Sequence, residues 1–266
     1  MLSSGMKDGQ RMHITGKTIL LTGASGGIGR ALAGCLRAEG AELILTGRRV
    51  NQLQSMSNEL GATFVVADLS RPEDVIRLTE VAPIDILIAN AGIHASGDVR
   101  DFALPDVDEA IAVNLRAPIV LARQLAPLME QRGAGHIVFI GSIGAMVSAA
   151  STAVYNATKF GLRGFAFGLR QDLESSGVGV SIVEPGFIRD EGMFADRGAS
   201  LPWGFRTGTP HQVARAVIRA IERNAAETVV APPETRLCVA LGRLAPALSA
   251  KVQRLVGMNL EAVQPR

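Results

Sequence analysis

Short apolar runs alternate with amphipathic segments along most of the chain. The runs are nearly continuous in Leu, Ile and Val, which is typical of strands that are buried on both faces. Seven strands are predicted in this way, at 18–22, 42–46, 63–67, 84–89, 136–141, 178–183 and 227–231. Helices are predicted between them, at 27–39, 51–60, 72–81, 106–131, 151–175 and 210–223.

The repetition of strand and helix with short links predicts an α/β fold. We expect a Rossmann-like, doubly wound, three-layer sandwich around a seven-stranded parallel sheet. The loops that follow the strands then meet at one edge of the sheet, where ligands bind. Residues 17–231 are expected to form this domain, between an N-terminal extension over 1–16 and a tail over 232–266. A long loop over 186–208 interrupts the alternation, and loops of this length often act as lids.

Composition narrows the class of protein. The chain has 266 residues, of which 47% are hydrophobic and 20% charged, so a disordered chain is excluded. The net charge of +2 gives no reason to expect a nucleic-acid partner. Two distant cysteines, Cys35 and Cys238, and four isolated histidines predict neither a disulfide framework nor a metal site. We find no signal-peptide pattern and no apolar run of membrane-spanning length, so a cytoplasmic location is expected.

A glycine-rich turn lies between the first strand and the first helix. It reads Thr22-Gly23-Ala24-Ser25-Gly26-Gly27-Ile28-Gly29. Glycines let the backbone approach a pyrophosphate closely, and the helix N-terminus supplies free N–H groups. The turn therefore predicts a dinucleotide site, with cofactor contacts from Gly23, Ser25, Gly26, Gly27, Ile28 and Gly29.

Two arginines follow the second strand, where many such sites carry an acid for the ribose 2′-hydroxyl. No acid occurs between Leu43 and Asn58, and Arg48 and Arg49 stand there instead. Because a guanidinium fork suits a 2′-phosphate, these residues favour NADP(H) over NAD(H). A solvated basic turn is the alternative.

The tyrosine Tyr155, the only one in the chain, precedes Lys159 by four residues in a predicted helix, so both lie on one face. A nearby ammonium favours the phenolate, so we expect a lowered tyrosine pKa and a general acid or base. Ser142 follows the fifth strand at the ligand-binding edge. Asn114 lies inside the helix predicted at 106–131, where its amide needs a partner. A plain surface pair of Tyr and Lys is the alternative.

Taken together, these motifs resemble the classical short-chain dehydrogenase/reductase family. The resemblance runs from about residue 17 to residue 231 and covers the glycine turn, Asp68-Leu69, Asn90-Ala91-Gly92, Asn114, Ser142, Tyr155 with Lys159, and Pro185-Gly186. It implies an oxidoreductase that interconverts a carbonyl and a secondary alcohol with a nicotinamide cofactor. A catalytically silent relative that binds a dinucleotide and acts as a sensor or scaffold is the alternative function.

The resemblance also implies a role for each residue. Tyr155 would transfer a proton to or from the substrate oxygen, Ser142 would polarise that oxygen, and Lys159 would hold the nicotinamide ribose. Asn114 would hold a water that links Lys159 to solvent. Further cofactor contacts would come from Asp68, Leu69, Asn90, Ala91, Gly92, Tyr155, Pro185, Gly186 and Ile188. Asp190 stands where the family usually has Thr, and an ionised Asp cannot donate to the carboxamide.

The candidate substrate pocket is largely apolar. Besides Ser142 and Tyr155 it includes Met146, Phe187, Met193 and Trp203. An apolar ketone, a steroid-like molecule or an acyl chain would suit such a lining. The alternative is that these side chains only pack the 186–208 loop against the domain.

The tail carries an amphipathic stripe of leucine and valine. It comprises Leu237, Leu241, Leu244, Leu248, Val252 and Leu255, and residues 235–260 contain basic side chains but no acid. We expect this stripe to pack on a second subunit of a homo-oligomer, a dimer or a tetramer, or to cover the pocket as a lid. Weak peripheral contact with a membrane surface is the alternative.

Overall fold

The structure is a computed structural model, and it describes residues 12–189, 206–247 and 251. Seven parallel strands form one sheet in the order β3-β2-β1-β4-β5-β6-β7. The predicted fold class is confirmed. The strands are β1 Thr18–Thr22, β2 Glu42–Gly47, β3 Thr63–Val66, β4 Ile86–Ala89, β5 Gly135–Ile140, β6 Val178–Pro185 and β7 Glu227–Val230.

The helices cover both faces of the sheet. They are α1 Gly27–Ala38, α2 Val50–Leu60, α3 Pro72–Leu78, α4 Leu104–Ile111, α5 Ala117–Gln131, α6 Ala153–Asp172, α7 Pro210–Arg223 and α8 Pro233–Leu244. Short 3₁₀ turns occur at Val99–Asp101 and Ile143–Ala145. In the described part of the chain, no helix is both long enough and apolar enough to cross a membrane.

The prediction of one continuous α-helix over 106–131 is wrong, because a different helical turn interrupts it. A π-helical turn, Ala112–Arg116, separates α4 from α5. Such turns insert one extra residue into a helix and often occur at functional sites. Asn114 lies inside this turn, so the insertion bears directly on a candidate site residue.

Two apolar cores lie on opposite sides of the sheet. Ile19 and Leu21 of β1 face the layer that contains α1, α2 and α7. Leu20, between them, faces the layer that contains α3, α5 and α6. Because successive side chains point to opposite faces and both faces are covered, the three central positions of β1 are all apolar.

Three buried polar side chains in β5 and β6 are exceptions to this apolar pattern. His136 and Ser181 are buried and their Nε2 and Oγ atoms are 2.9 Å apart, whereas the His136 Nδ1 has no hydrogen-bond partner among the described residues. Glu184 is fully buried at the carboxyl end of β6. That end of the sheet is the edge at which the candidate site lies.

Candidate active site

The glycine-rich turn lies where the strand order reverses, between β1 and β4. Gly23 has φ +64°, and a Cβ there would lie 2.7 Å from the Ala91 Cα. A Cβ at Gly29 would lie 2.7 Å from the Ala24 carbonyl oxygen. α1 begins at Gly27 and its cap residue, Gly26, makes no side-chain hydrogen bond to the first amides. The two glycines therefore cannot carry a side chain. Ala24 and Gly26 donate their N–H groups to backbone carbonyls, but the first amides of α1 are left for a phosphate, so the turn fits a dinucleotide.

Asn90 ties the end of β4 to this turn. Its Nδ2 donates to the carbonyl oxygens of Thr22 and Gly23, at 2.9 and 3.1 Å. Its backbone N–H donates to the Thr22 Oγ1 at 3.0 Å, as does that of Ala91. Both hydrogen bonds of the Asn90 Nδ2 thus hold the turn in place, and Oδ1 is the side-chain atom that can face a ribose.

The two arginines after β2 differ in their surroundings. Arg49 lies against the glycine-rich turn, where its Nη2 donates to the Ser25 carbonyl at 2.7 Å and its Nε to the Ser25 Oγ at 3.2 Å. Arg48 is exposed and forms an ion pair with Glu109 at 3.1 Å. Arg49 therefore lies beside the phosphate-binding turn, whereas Arg48 has a competing carboxylate.

Asp68 follows β3 at the same edge of the sheet, and Leu69 beside it is buried. The Ser70 backbone N–H and hydroxyl donate to the Asp68 Oδ1 at 3.0 and 2.8 Å. Burial raises the pKa of Asp68, but the hydrogen bonds from Ser70 and the charges of Arg48 and Arg71 outweigh burial and lower it. Asp68 is therefore an ionised acceptor at the rim of the dinucleotide site.

The structure brings Ser142, Tyr155 and Lys159 together. A Cβ on Gly144 would lie 3.3 Å from the Tyr155 Cε1 and 3.4 Å from the Ser142 Oγ, so these two side chains lie side by side. The Lys159 Nζ lies 5.9 Å from the centroid of the Tyr155 ring. Lys159 is buried and its Nζ donates to the Ile140 carbonyl oxygen at 3.0 Å. Three residues from the end of β5 and from α6 thus converge at the carboxyl edge of the sheet.

The direction of the Tyr155 pKa differs from the expectation. Burial raises the pKa of Tyr155; the Ser142 hydrogen bond lowers it, and the charge of Glu184 raises it further, so that the net shift is upward. Burial also lowers the pKa of Lys159 to about 8, although the charge of Glu184 opposes this. The predicted lowering of the Tyr155 pKa by Lys159 is not found, because desolvation of the phenolate dominates.

Asn114 finds the partner that its position requires. Its Oδ1 accepts a hydrogen bond from the Ile93 N–H at 2.7 Å, and its Nδ2 donates to the Ile93 carbonyl at 2.9 Å. A Cβ at Gly92 would lie 3.3 Å from the Asn114 Oδ1 and 3.8 Å from the Lys159 Nζ. Asn114 is therefore close to Lys159, but both polar atoms of its amide are engaged with the backbone of Ile93.

The residues predicted to bind substrate are only partly described. Met146 is buried and lines a cavity of about 290 Å³ between the Ile143–Ala145 turn, α6 and α8. Phe187 and Ile188 follow Pro185-Gly186 at the start of the long loop. The Gly208 N–H donates to the Phe187 carbonyl at 2.7 Å, which joins the two ends of the loop. Met193, Trp203 and Asp190 lie outside the described residues.

Two residues at this site are missing from the sequence-based prediction. His94 stacks on Tyr155 with ring centroids 5.9 Å apart and an angle of 19° between the planes. The carboxylate of Glu184 accepts a hydrogen bond from the Ser142 N–H. A signal for Glu184 was present, because it is the only acid in the apolar strand β6 and directly precedes Pro185-Gly186.

Comparison with known proteins identifies the family. The family model for short chain dehydrogenases matches residues 17–200. The chain is 34% identical to the ketoacyl reductase HetN of Nostoc sp. over 260 residues, which cover 92% of this chain and 91% of that protein. It is 31% identical to a dehydrogenase/reductase SDR family protein 7-like of Drosophila melanogaster, with 96% of this chain and 85% of the relative covered.

A solved structure agrees with this assignment. A short-chain dehydrogenase from Sphingobium yanoikuyae in complex with NADPH superimposes with a TM-score of 0.74 at 30% identity. The alignment covers 94% of this chain and 98% of the solved chain. The protein belongs to the short-chain dehydrogenase/reductase family. It is an oxidoreductase that acts on CH–OH groups and binds NAD(P).

Proposed function

We propose that the protein is an NADP(H)-dependent oxidoreductase that interconverts a carbonyl and a secondary alcohol on an apolar substrate. The observation that carries this proposal is the convergence of Ser142, Tyr155 and Lys159 beside the glycine-rich turn. Two relatives support it: HetN is named a ketoacyl reductase, and the Sphingobium enzyme was solved with NADPH. An acyl-chain or other apolar ketone is the substrate class that we favour.

The cofactor would lie along the carboxyl edge of the sheet, and when bound it supplies the hydride. The glycine-rich turn would hold the pyrophosphate, and Arg48 and Arg49 the 2′-phosphate. The remaining contacts would come from Asp68, Leu69, Asn90, Ala91, Gly92, Tyr155, Lys159, Pro185, Gly186 and Ile188. The fit rests on the two crowded glycines of the turn, Gly23 and Gly29, and on the absence of an acid directly after β2.

The side chains suggest how a carbonyl oxygen would be protonated. The Ser142 Oγ accepts a hydrogen bond from the Gly144 N–H at 3.0 Å, which leaves its own O–H to donate. Because the pKa of Tyr155 is raised, the phenol keeps its proton at neutral pH and can donate it to the same oxygen. The Lys159 ammonium near the ring would then stabilise the phenolate that remains.

Replacing Tyr155 with Phe tests the catalytic role. NADPH-dependent reduction of a panel of apolar ketones and β-ketoacyl thioesters is measured for both proteins. The Y155F variant should lose at least about 100-fold in kcat, since general acid catalysis contributes on the order of 100- to 10,000-fold. NADPH affinity, measured by cofactor fluorescence, should change little and serves as the control. Substantial turnover by Y155F would refute the assignment, and a wild type that binds NADPH without turnover would support the silent relative.

Separate alanine variants of Arg48 and Arg49 test the cofactor preference. Loss of a charged hydrogen bond to the 2′-phosphate should weaken NADPH binding by about 10- to 100-fold. The loss should be larger for R49A, because Arg49 already lies on the Ser25 backbone, whereas Arg48 is paired with Glu109. NADH titrations of the same variants provide the control. An equal loss of NADH affinity would show that the arginines support the turn rather than bind the phosphate.

We infer that α8 contributes to a homo-oligomer, a dimer or a tetramer. The helix packs on the domain through the buried residues Thr235, Val239 and Gly242. Its leucines face the other way, with Leu237, Leu241 and Leu244 exposed by 62%, 57% and 84%. An apolar helix face of this kind is typical of an interaction surface. A peripheral membrane contact is the competing use of the same face.

A further inference from the structure

A buried carboxyl group lies directly behind the candidate active site. Glu184 is 0% exposed at the end of β6, among strands that are otherwise almost entirely apolar. Transfer of a carboxylate from water into such an environment is costly unless partners compensate for it. The contacts of Glu184 therefore indicate what its charge does in this protein.

One oxygen of Glu184 holds the segment that carries Ser142. The Glu184 Oε2 accepts a hydrogen bond from the Ser142 N–H, just beyond the end of β5. A Cβ on the adjacent Gly141 would overlap this carboxylate, so only glycine permits the contact. The Glu184 Oε1 has no hydrogen-bond partner among the described residues. Glu184 thus fixes the backbone from which the Ser142 hydroxyl projects.

The other charged groups that face Glu184 come from α6 and β7. Arg163 of α6 and Glu227 of β7 already form an ion pair at 2.6 Å. Lys159 of α6 is buried and donates to a neutral carbonyl, that of Ile140. Arg163 therefore has Glu227 as its counter-charge, whereas Lys159 has no carboxylate within ion-pair distance among the described residues, and the charge of Glu184 is the one that acts on it.

We propose that Glu184 is a positioning residue of the active site: its carboxylate holds Ser142 through the backbone amide, and its charge acts on the buried Lys159 and on Tyr155 beside it. This inference rests on the proposed function only in treating Tyr155 as the proton donor. Glu184 acts through its neighbours and need not contact the substrate.

The direction of each pKa agrees with this arrangement. Burial raises the pKa of Glu184 to about 7, while the Ser142 N–H, Lys159 and Arg163 lower it and Glu227 raises it. After burial, the charge of Glu184 is the next influence on Lys159, whose pKa it raises. The same charge raises the pKa of Tyr155. As the pH rises through about 7, Glu184 therefore gains the charge that keeps both neighbours protonated.

Tyr155 provides a direct probe, because it is the only tyrosine in the chain. The near-ultraviolet absorbance of the phenolate is titrated in the wild type, in Glu184→Gln and in Glu227→Gln, with Tyr155→Phe as the blank. Glutamine keeps an acceptor for the Ser142 N–H but carries no charge. E184Q should lower the midpoint by about half a pH unit to one unit, a three- to tenfold change in the ionisation constant. E227Q, the control, should shift it less, because Glu227 is paired with Arg163.

Circular dichroism at each pH confirms that the titrated protein is folded. An unchanged or higher midpoint in folded E184Q would overturn the electrostatic part of the proposal. If E184Q does not fold, infrared difference spectra of the wild type on either side of neutral pH take its place. A protonated carboxyl band that disappears as the pH rises through about 7 supports the proposal, and no such band overturns it.

Enzyme activity separates the two roles of Glu184. Glu184→Ala leaves the Ser142 N–H without its acceptor, so kcat should fall by roughly tenfold more than in E184Q. Equal kcat values for the two variants would overturn the positioning of Ser142. The phenolate titration needs no substrate, so its outcome is distinguishable from failure of the proposed function. An inactive protein with a shifted midpoint would reject the proposed function and keep this inference.

Discussion

Alanine at Gly29 should disable the glycine-rich turn, whereas alanine at Gly34 in the same helix should not. A Cβ at Gly29 would lie 2.7 Å from the Ala24 carbonyl oxygen and still closer to that of Gly23. Both obstacles are backbone atoms, which cannot turn aside as a flexible side chain can. A Cβ at Gly34 would meet nothing within 4 Å. Both variants therefore add one methyl group to α1, and they differ only in whether there is space for that methyl group.

The opposing free energies can be compared directly. Alanine is favoured over glycine in a helix by about 1 kcal/mol, so G34A should raise the melting temperature by about 2–4 °C. Overpacking costs about 1–3 kcal/mol, and a backbone clash places Gly29 at the upper end of that range. The net loss for G29A is then about 2 kcal/mol, or about 4–8 °C. Relief of the clash would displace the turn and weaken NADPH binding at least about tenfold.

Thermal unfolding with and without NADPH measures both effects. A ligand that binds only the folded protein raises the melting temperature, so saturating NADPH should stabilise the wild type and G34A. G29A should show little stabilisation at the same concentration. If G29A were as stable as G34A and bound NADPH within about twofold of the wild type, the close approach in the turn would not be the constraint we infer.

Two further predictions concern stability and assembly. Burial, assisted by the charge of Arg170, lowers the pKa of His136 from 6.5 to about 3, so between these values the unfolded chain binds a proton that the folded protein refuses. The free energy of unfolding should therefore fall as the pH drops below 6.5, by up to about 1.4 kcal/mol per pH unit from this group. When the free energy of unfolding is measured with urea at several pH values, His136→Gln should reduce its slope against pH. An unchanged slope against pH would contradict this. Serine at Leu237 and Leu241 should yield a smaller species in sedimentation equilibrium with little change in unfolding free energy, since both are exposed. Unchanged assembly together with lost binding to anionic liposomes would favour the membrane contact instead.

The sheet could be predicted from the sequence because its strands are almost entirely apolar. β1 begins and ends at the predicted residues, since both of its faces are covered and no polar residue occurs between Ile19 and Leu21. The π-helical turn could not be predicted in this way. The pattern of apolar and polar residues in a helix does not show where one turn contains an extra residue. The hydrogen bonds of the Asn114 side chain are made with the backbone of Ile93, 21 residues away in the sequence.

The candidate site could be predicted only in part, for a related reason. Ser142, Tyr155 and Lys159 are recognisable because parallel strands bring their ends to one edge of the sheet. The influence of Glu184 arises from a contact across 42 residues, which no local spacing shows. The raised pKa of Tyr155 likewise depends on burial and on the charge of Glu184, and the spacing between Tyr155 and Lys159 shows neither of these.

Two glycines at this edge of the sheet, Gly29 and Gly141, have the same role: each leaves room for a contact with a backbone N–H group. At Gly29 the missing side chain lets the turn fold tightly, so that the first amides of α1 are available to a phosphate. At Gly141 it lets the Glu184 carboxylate reach the Ser142 N–H. A backbone N–H stabilises the negative charge of Glu184, and the amides of α1 would stabilise that of a phosphate; a Cβ at the neighbouring glycine would block or displace either contact. A methyl group at Gly141 would therefore act on Tyr155 from a distance, because it would move the carboxylate that keeps the phenol protonated.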